Sequence, residues 1–190
     1  MNTYDLVVVG AGPGGYVSAI YGAKHGLKTA LIEKNESLGG TCLNVGCIPT
    51  KSMIESANLL RKISHAKDFG VKVENAELDY ASVFKRKNRV VSRLTKGIGF
   101  LMKENNIDVY TGTGAFKAPG VITVNGEQEL GYTNCIIATG SAPANLPHIQ
   151  ADGEFVLNSD HVLSLEELPE SMAIIGGGVI GVEFASIFAT

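Results

Sequence analysis

The chain carries no excess of positive charge, few cysteines and no long apolar run, and each shortage excludes a class of protein. Sixteen Lys and Arg stand against 19 Asp and Glu, a formal net charge of −3. Nothing in that balance would neutralise a phosphate backbone, so a nucleic-acid reader is excluded. Small basic groups such as Lys85-Arg86-Lys87 are expected to be a solvated helix face. Three cysteines in 190 residues cannot build the disulfide framework of a small secreted domain. No apolar stretch approaches the roughly 18–20 residues of a membrane-spanning helix. The first five residues hold no Lys or Arg and include Asp5, unlike the opening of a secretory signal. The expectation is a soluble, cytoplasmic protein with no membrane or nucleic-acid partner.

Other quantities argue for a packed fold. Hydrophobic residues make up 45% and charged residues 18%, which suits a chain with a sizeable core rather than a disordered one. Glycine is abundant, with 23 in the chain against a typical usage of roughly 7%. These glycines are clustered rather than periodic, which excludes collagen and low-complexity arrangements.

Residues 4–9 form an apolar run ending at Gly10, followed by a helical pattern to about His25 and a second run over 28–33. Together they read as a β-α-β unit. Residues 39–46 read as a glycine-punctuated loop, 51–64 as a helix, and 80–105 as a long charged helix interrupted near Gly97 and Gly99. Short strands over 108–132, with Asn125-Gly126 as a hairpin signal, read as a β-meander. Residues 134–138 read as a buried parallel strand, 141–168 as irregular or briefly helical, and 172–175 as another strand. The fold class is therefore α/β, a Rossmann-like domain of parallel sheet, helices and β-meander over residues 1–150. Residues 151–190 read as a connector and the first strand, turn and helix of a second Rossmann-like domain.

The glycines at 10, 12 and 15 fit G-x-G-x-x-G between strand and helix. The first permits the tight turn, the second lets backbone approach a pyrophosphate, and the third lets helix pack on strand. The helix N-terminus then favours an anion. Glu33 closes the second strand about 20 residues later, where an acid binds a ribose hydroxyl. Its charge disfavours a 2′-phosphate, which points to FAD or NAD(H) rather than NADP(H).

Cys42 and Cys47 are separated by four residues and precede a helix with Pro49 in its first turn. That helix start and Lys51 favour a nearby thiolate. The pair reads either as a redox disulfide beside a dinucleotide site or as two reduced core thiols. A metal site would need more ligands than two thiols, and none is expected. Cys135 sits in an apolar run and His25, His65 and His148 have no partners nearby in sequence, so none is assigned chemistry.

The stretch from Gly39 to Lys51, with its ending Cys47-Ile48-Pro49-Thr50-Lys51, closely resembles the active-site segment of the flavin-dependent pyridine nucleotide–disulfide oxidoreductases. It looks most like the dihydrolipoamide dehydrogenase branch, a likeness that extends over Ala138-Thr139-Gly140-Ser141 and Gly176 to Gly181. The resemblance implies that Gly10, Gly12, Gly14, Glu33, Lys34, Gly40, Thr41, Cys42, Lys51, Gly114, Ala115, Thr139, Gly140 and Ser141 hold FAD. It implies catalytic roles for Cys47 as the flavin-side thiol and Cys42 as the interchange thiol, and places Lys51 near the flavin N5, paired with Glu183. Gly176, Gly178, Gly181 and Glu183 fall on the NAD side. The implied reaction oxidises a protein-bound dihydrolipoyl dithiol with NAD⁺ as acceptor. The implied partners are a lipoyl domain of a 2-oxoacid dehydrogenase-type complex and a second copy of the intact protein.

Against the family pattern, the second strand of the NAD site, the later flavin-binding segment and the C-terminal dimerisation domain with its His-x-x-x-x-Glu base are missing. Turnover from the 190 residues alone is therefore not expected. His161 and Glu166 match that spacing, but their context is a connector and the match is read as coincidental. Alternatives are another flavin disulfide reductase, of mercuric or glutathione type, and a non-catalytic FAD-binding module.

Overall fold

The computed structural model describes residues 1–190. The chain divides into two compact units, residues 1–44 with 92–142 and residues 45–91 with 143–190. No helix is long and apolar enough to cross a membrane.

The first unit is built on a six-stranded mixed sheet of order β3-β2-β1-β6-β5-β4. Its strands are β1 (Asn2–Val9), β2 (Thr29–Glu33), β3 (Asp108–Thr111), β4 (Gly114–Ala118), β5 (Val121–Val124) and β6 (Gln128–Ile137). β3, β2, β1 and β6 run parallel, while β4, β5 and the first half of β6 form an antiparallel meander. The Val7–Val9 and Ala30–Ile32 runs are buried, as central parallel strands of β-branched and apolar residues should be. They share a core with Tyr4, Ile122, Val124 and Leu130. Asn125 and Gly126 both have positive φ (54° and 75°), the left-handed pair that a tight hairpin demands. Helix α1 (Pro13–Lys24) lies on β1 and β2 through small residues. A Cβ on Gly22 would stand 2.6 Å from the Leu6 side chain.

The second unit is helical. It holds α3 (Cys47–Ser64), residues 80–91 of α4 (Tyr80–Glu104), the short α5 (Ser159–Val162) and α6 (Val179–Phe188). Met53, Val162, Leu163 and Phe184 form its core, with Tyr80, Met172 and Phe188 packed around them. Asn158 caps α5 by accepting the Asp160 and His161 N–H groups, and the His161 ring accepts the Asn158 N–H in return. His161 therefore serves a helix cap.

Several expectations are corrected. The glycine-punctuated stretch around the cysteines folds as a helix, α2 (Gly40–Val45), and α3 begins at Cys47, two residues before the expected start at Pro49. α4 is unbroken at Gly97 and Gly99, because buried Ile98 and Met102, one turn apart, hold that face down. The end of β6 pairs in parallel with β1, yet it is not buried: Ile137 is 65% exposed. Residues 172–175 form no strand, since a strand needs a partner for its backbone groups. The basic run 85–87 is not simply solvated. Lys87 is buried, its ammonium donating to the Leu163 carbonyl and lying 3.8 Å from the Phe84 ring centroid. Burial pushes its pKa down.

Candidate functional site

At the end of β1 the chain makes a turn that only glycine permits. Gly10 has φ +98°, and its N–H donates to the Ile32 carbonyl at 2.7 Å. A Cβ there would lie 2.3 Å from the Ala138 carbonyl oxygen. A Cβ on Gly15 would lie 1.7 Å from the Gly10 oxygen, so this glycine sets how closely α1 approaches the turn. Gly14 is different, since its Cβ would meet the Ala138 side chain at an ordinary 3.8 Å. Gly12 is the N-cap of α1, no side chain caps that helix, and Pro13 brings no N–H to its first turn. The dipole end of α1 is thus left to whatever anion sits there.

Gly40 starts α2 with φ +57°, and a Cβ on it would stand 2.6 Å from Gly12 Cα. The two backbones meet with no side chain between them. The Gly39 N–H donates to the Ala11 carbonyl at 2.8 Å and fixes this approach. The start of the helix that carries Thr41 and Cys42 is therefore held against the glycine turn. Thr41 is exposed and Cys42 half-buried.

Glu33 is buried at the end of β2. Its Oε2 accepts the Ala11 N–H at 2.7 Å, and its Oε1 accepts both the backbone and side-chain N–H of Asn35 at 3.0 Å. A carboxylate offers about four acceptor positions. Three are used, which leaves Oε2 able to take one more donor, such as a ribose hydroxyl. Lys34, next in sequence, is exposed. Gly114 packs at the strand ends, where a Cβ would crowd Val9 at 3.2 Å and Ile122 at 3.4 Å. The Ala115 carbonyl accepts the Thr123 hydroxyl at 3.2 Å. Residues Thr139, Gly140 and Ser141 leave β6 just after Ala138, whose N–H donates to the Val9 carbonyl at 2.8 Å. The first unit therefore gathers Gly10, Gly12, Gly40, Glu33 and Gly114 around the carboxyl ends of its parallel strands, where open α/β sheets bind ligands. A backbone-lined cradle that a Cβ would fill, an uncapped helix start and an acid with one spare acceptor all fit a flavin dinucleotide.

In the second unit, Cys47 is the first residue of α3 and is exposed, and Gly46 at the N-cap offers no side-chain cap. Lys51, one turn on, pairs with Glu183 of α6. The second glycine turn repeats the first: Gly176 has φ +108°, Gly178 is the N-cap of α6, and a Cβ on Gly181 would lie 2.5 Å from the Gly176 oxygen.

Sequence reasoning missed Asn35, which holds Glu33, and Asn125, whose Oδ1 accepts the Thr113 N–H at 2.9 Å just before Gly114. An Asn two residues after a strand-end acid or in an Asn-Gly turn is the signal that could have found them. Arg86 was missed as well: its guanidinium donates to both the carbonyl and the hydroxyl of Ser52 at 2.9 Å. Burial raises the Cys135 thiol above its ordinary pKa.

The model of the pyridine nucleotide-disulphide oxidoreductase family matches residues 4–190. The chain is 47% identical over 196 residues to a dihydrolipoyl dehydrogenase of Bacillus subtilis (strain 168), a match that takes in 97% of this chain and 41% of that protein. It is 41% identical over 192 residues to a mitochondrial dihydrolipoyl dehydrogenase of Schizosaccharomyces pombe, covering 98% of this chain and 38% of the other. Among solved structures, the HOCl-induced flavoprotein disulfide reductase RclA from Escherichia coli matches with a TM-score of 0.83 and 35% identity, over 98% of this chain and 40% of that one. The chain spans about two fifths of the length of each of these three relatives.

Proposed function

This chain belongs to the pyridine nucleotide-disulphide oxidoreductase family, and on that footing we propose that it is the FAD-binding part of a dihydrolipoyl dehydrogenase. Its sheet, a parallel core with an antiparallel meander, is the FAD-binding fold of a flavoprotein disulfide reductase. Residues 1–150 form the FAD-binding part, and residues 151–190 connect it to the opening turn of an NAD-binding part.

The observation that carries this reading is the meeting of Gly12 and Gly40, which ties the start of the Cys42 helix to the dinucleotide turn. Gly10, Gly12 and the uncapped start of α1 take the pyrophosphate, Glu33 takes a ribose hydroxyl, and Gly114, Ala115 and the 139–141 turn supply further walls. Bound FAD would supply a two-electron relay between the thiol pair and NAD⁺. One thiolate of a protein-bound dihydrolipoyl group attacks the Cys42 sulfur and displaces Cys47 as the leaving thiolate. The second thiol of the substrate then closes on the first and frees Cys42. The substrate leaves as a disulfide, having lost two electrons and two protons, and the Cys42–Cys47 pair holds both electrons. Lys51, paired with Glu183, places a cation one turn along the helix from Cys47. Gly176, Gly178 and Gly181 serve the nicotinamide dinucleotide. The lipoyl domain of a 2-oxoacid dehydrogenase complex is the partner, the cytoplasm the compartment and a homodimer the assembly of the intact protein.

The likeness to RclA supports a second reading, a flavin disulfide reductase acting on a different oxidant or thiol. One experiment tests both. The purified chain is mixed with FAD, and bound flavin is read from its visible spectrum. Dihydrolipoamide or glutathione is then added, and the cysteines are counted by alkylation and mass. One bound FAD and selective reduction of the Cys42–Cys47 disulfide by dihydrolipoamide is the expected result. Equal reduction by monothiol and dithiol favours the second reading, and a Cys42–Cys47 pair that neither reagent reduces removes both.

A further inference from the structure

Helix α3 carries Cys47 and Lys51 on one face and Pro49, Thr50, Ser52 and Met53 buried on the other. Its first turn is poorly fixed from within. Gly46 caps nothing by side chain, and the Thr50 hydroxyl, which donates to the Gly46 carbonyl at 2.7 Å, is a tie internal to the same turn. Met53 anchors the helix by apolar contact, which is non-directional and resists rotation about the helix axis only weakly. Beside the Lys51–Glu183 pair to α6, a second directional tie comes from α4. Arg86 Nη1 donates to the Ser52 carbonyl and to the Ser52 hydroxyl, both at 2.9 Å. The next residue, Lys87, fastens α4 itself to the Leu163 carbonyl at the end of α5.

We propose that Arg86 is a positioning residue for the redox helix: by gripping Ser52 from α4 it acts with the Lys51–Glu183 pair to fix the rotation of α3, and with it the outward presentation of Cys47. Ser52 lies five residues from Cys47, roughly 7.5 Å along a helix axis at 1.5 Å per residue. A charged donor shared by two acceptors on one residue is both strong and directional. Releasing it lets the first turn of α3 swing, which lowers the effective concentration of the Cys47 thiol for ring closure. The inference rests on the reading of Cys42 and Cys47 as a redox pair.

The test is a glutathione titration of the full 190-residue chain. In the forward reaction, Cys42 and Cys47 form a sulfur–sulfur bond and give two electrons and two protons to oxidised glutathione, which leaves as two thiols. Alkylation and intact mass then separate the forms, because the reduced chain takes three labels and the oxidised chain one. Arg86→Leu is expected to lower the equilibrium constant for disulfide formation about fivefold, with Arg86→Lys in between and Ser52→Ala smaller, since the Ser52 carbonyl remains. Lys87→Met controls for stability: it loosens α4 without touching Ser52, and should lower the melting temperature while leaving the equilibrium constant within twofold. An unchanged constant in Arg86→Leu overturns the positioning role, as does an equal shift in Lys87→Met. A wild-type chain that forms no disulfide at any glutathione ratio overturns the redox reading as well, which separates the two failures.

Discussion

The two glycine turns of this chain have nearly the same backbone and very different surroundings. Gly10 and Gly176 have φ of +98° and +108°, and Gly12 and Gly178 both cap their helices in extended conformations. Gly15 and Gly181 each lie so close to the first glycine's oxygen that a Cβ has no room. The first turn, however, springs from a strand paired on both sides and is backed by Glu33, whereas the residues before the second form no strand at all. A Cβ added at Gly176, Gly177 or Gly178 would meet nothing within 4 Å, and Ile175 and Val179 are exposed. The turn is thus a local property of its glycines, and the binding site is a property of the sheet. A fingerprint motif specifies the first and only permits the second.

The sharpest way to break this comparison is to add one methyl group to each turn. Gly15→Ala forces a Cβ against a Gly10 oxygen that cannot retreat, because Gly10 is itself wedged against Ala138. We expect a loss of about 4 kcal/mol or more in urea unfolding, a size reserved for core overpacking and backbone strain, together with loss of FAD binding. Gly181→Ala meets a Gly176 oxygen in open surroundings that can move away, and should cost about 1 kcal/mol. Equal losses at the two sites would show that the turns are equivalent and the surroundings immaterial.

A smaller effect comes from making the first turn resemble the second by removing its acid. Glu33→Ala strips the acceptor from the Ala11 N–H and both Asn35 N–H groups. Leaving such donors partly unpaired costs about 2 kcal/mol. The affinity for FAD, read by flavin fluorescence, should fall more than about tenfold on losing a charge-assisted bond of that order. Glu33→Gln keeps an acceptor for one side only and should fall between. An unchanged affinity would mean that Glu33 braces the turn and holds no ribose.

The same contrast explains what was legible beforehand. Periodicity placed β1, α1, β2 and the Asn125-Gly126 hairpin because each is dictated by residues close in sequence. Residues 172–175 look as apolar as residues 6–9, and periodicity cannot tell that one run has strand partners and the other has none. The helix α2 was hidden because Gly39, Gly40 and Gly46 are turn residues by propensity. Here Gly40 is needed for the contact with Gly12, and the helix follows from tertiary packing. Lys87 and Arg86 read as solvated because charge is usually solvated, and only the fold supplies the Leu163 carbonyl and Ser52 as their acceptors. The cysteine pair was legible because six residues of sequence, 42–47, hold both thiols and the first residue of α3.

The smallest expected effect concerns the far end of β1, which has a tie that residues 172–175 lack. The buried Tyr4 hydroxyl bonds Asp108 Oδ2 at 2.8 Å and the Tyr110 hydroxyl at 2.6 Å, locking β1 across to β3. Burial first, and then the bonds to Tyr110 and Asp108, raise its pKa above the ordinary tyrosine value of 10.0. The unfolded chain therefore sheds this proton near pH 10 while the folded chain keeps it. The stability Tyr4 contributes is complete below that pH and is lost as pH rises toward its folded value, at up to about 1.4 kcal/mol per pH unit. Tyr4→Phe should cost about 1 kcal/mol at neutral pH and show a shallower alkaline decline, so that the two stability curves converge between about pH 10 and 11. Tyr80, also raised by burial, and Lys87, lowered by it, titrate in both proteins and cancel in the difference. Curves that stay parallel in urea titrations across this range would mean that Tyr4 ionises as freely in the fold as outside it, and that β1 is held by its backbone pairing alone.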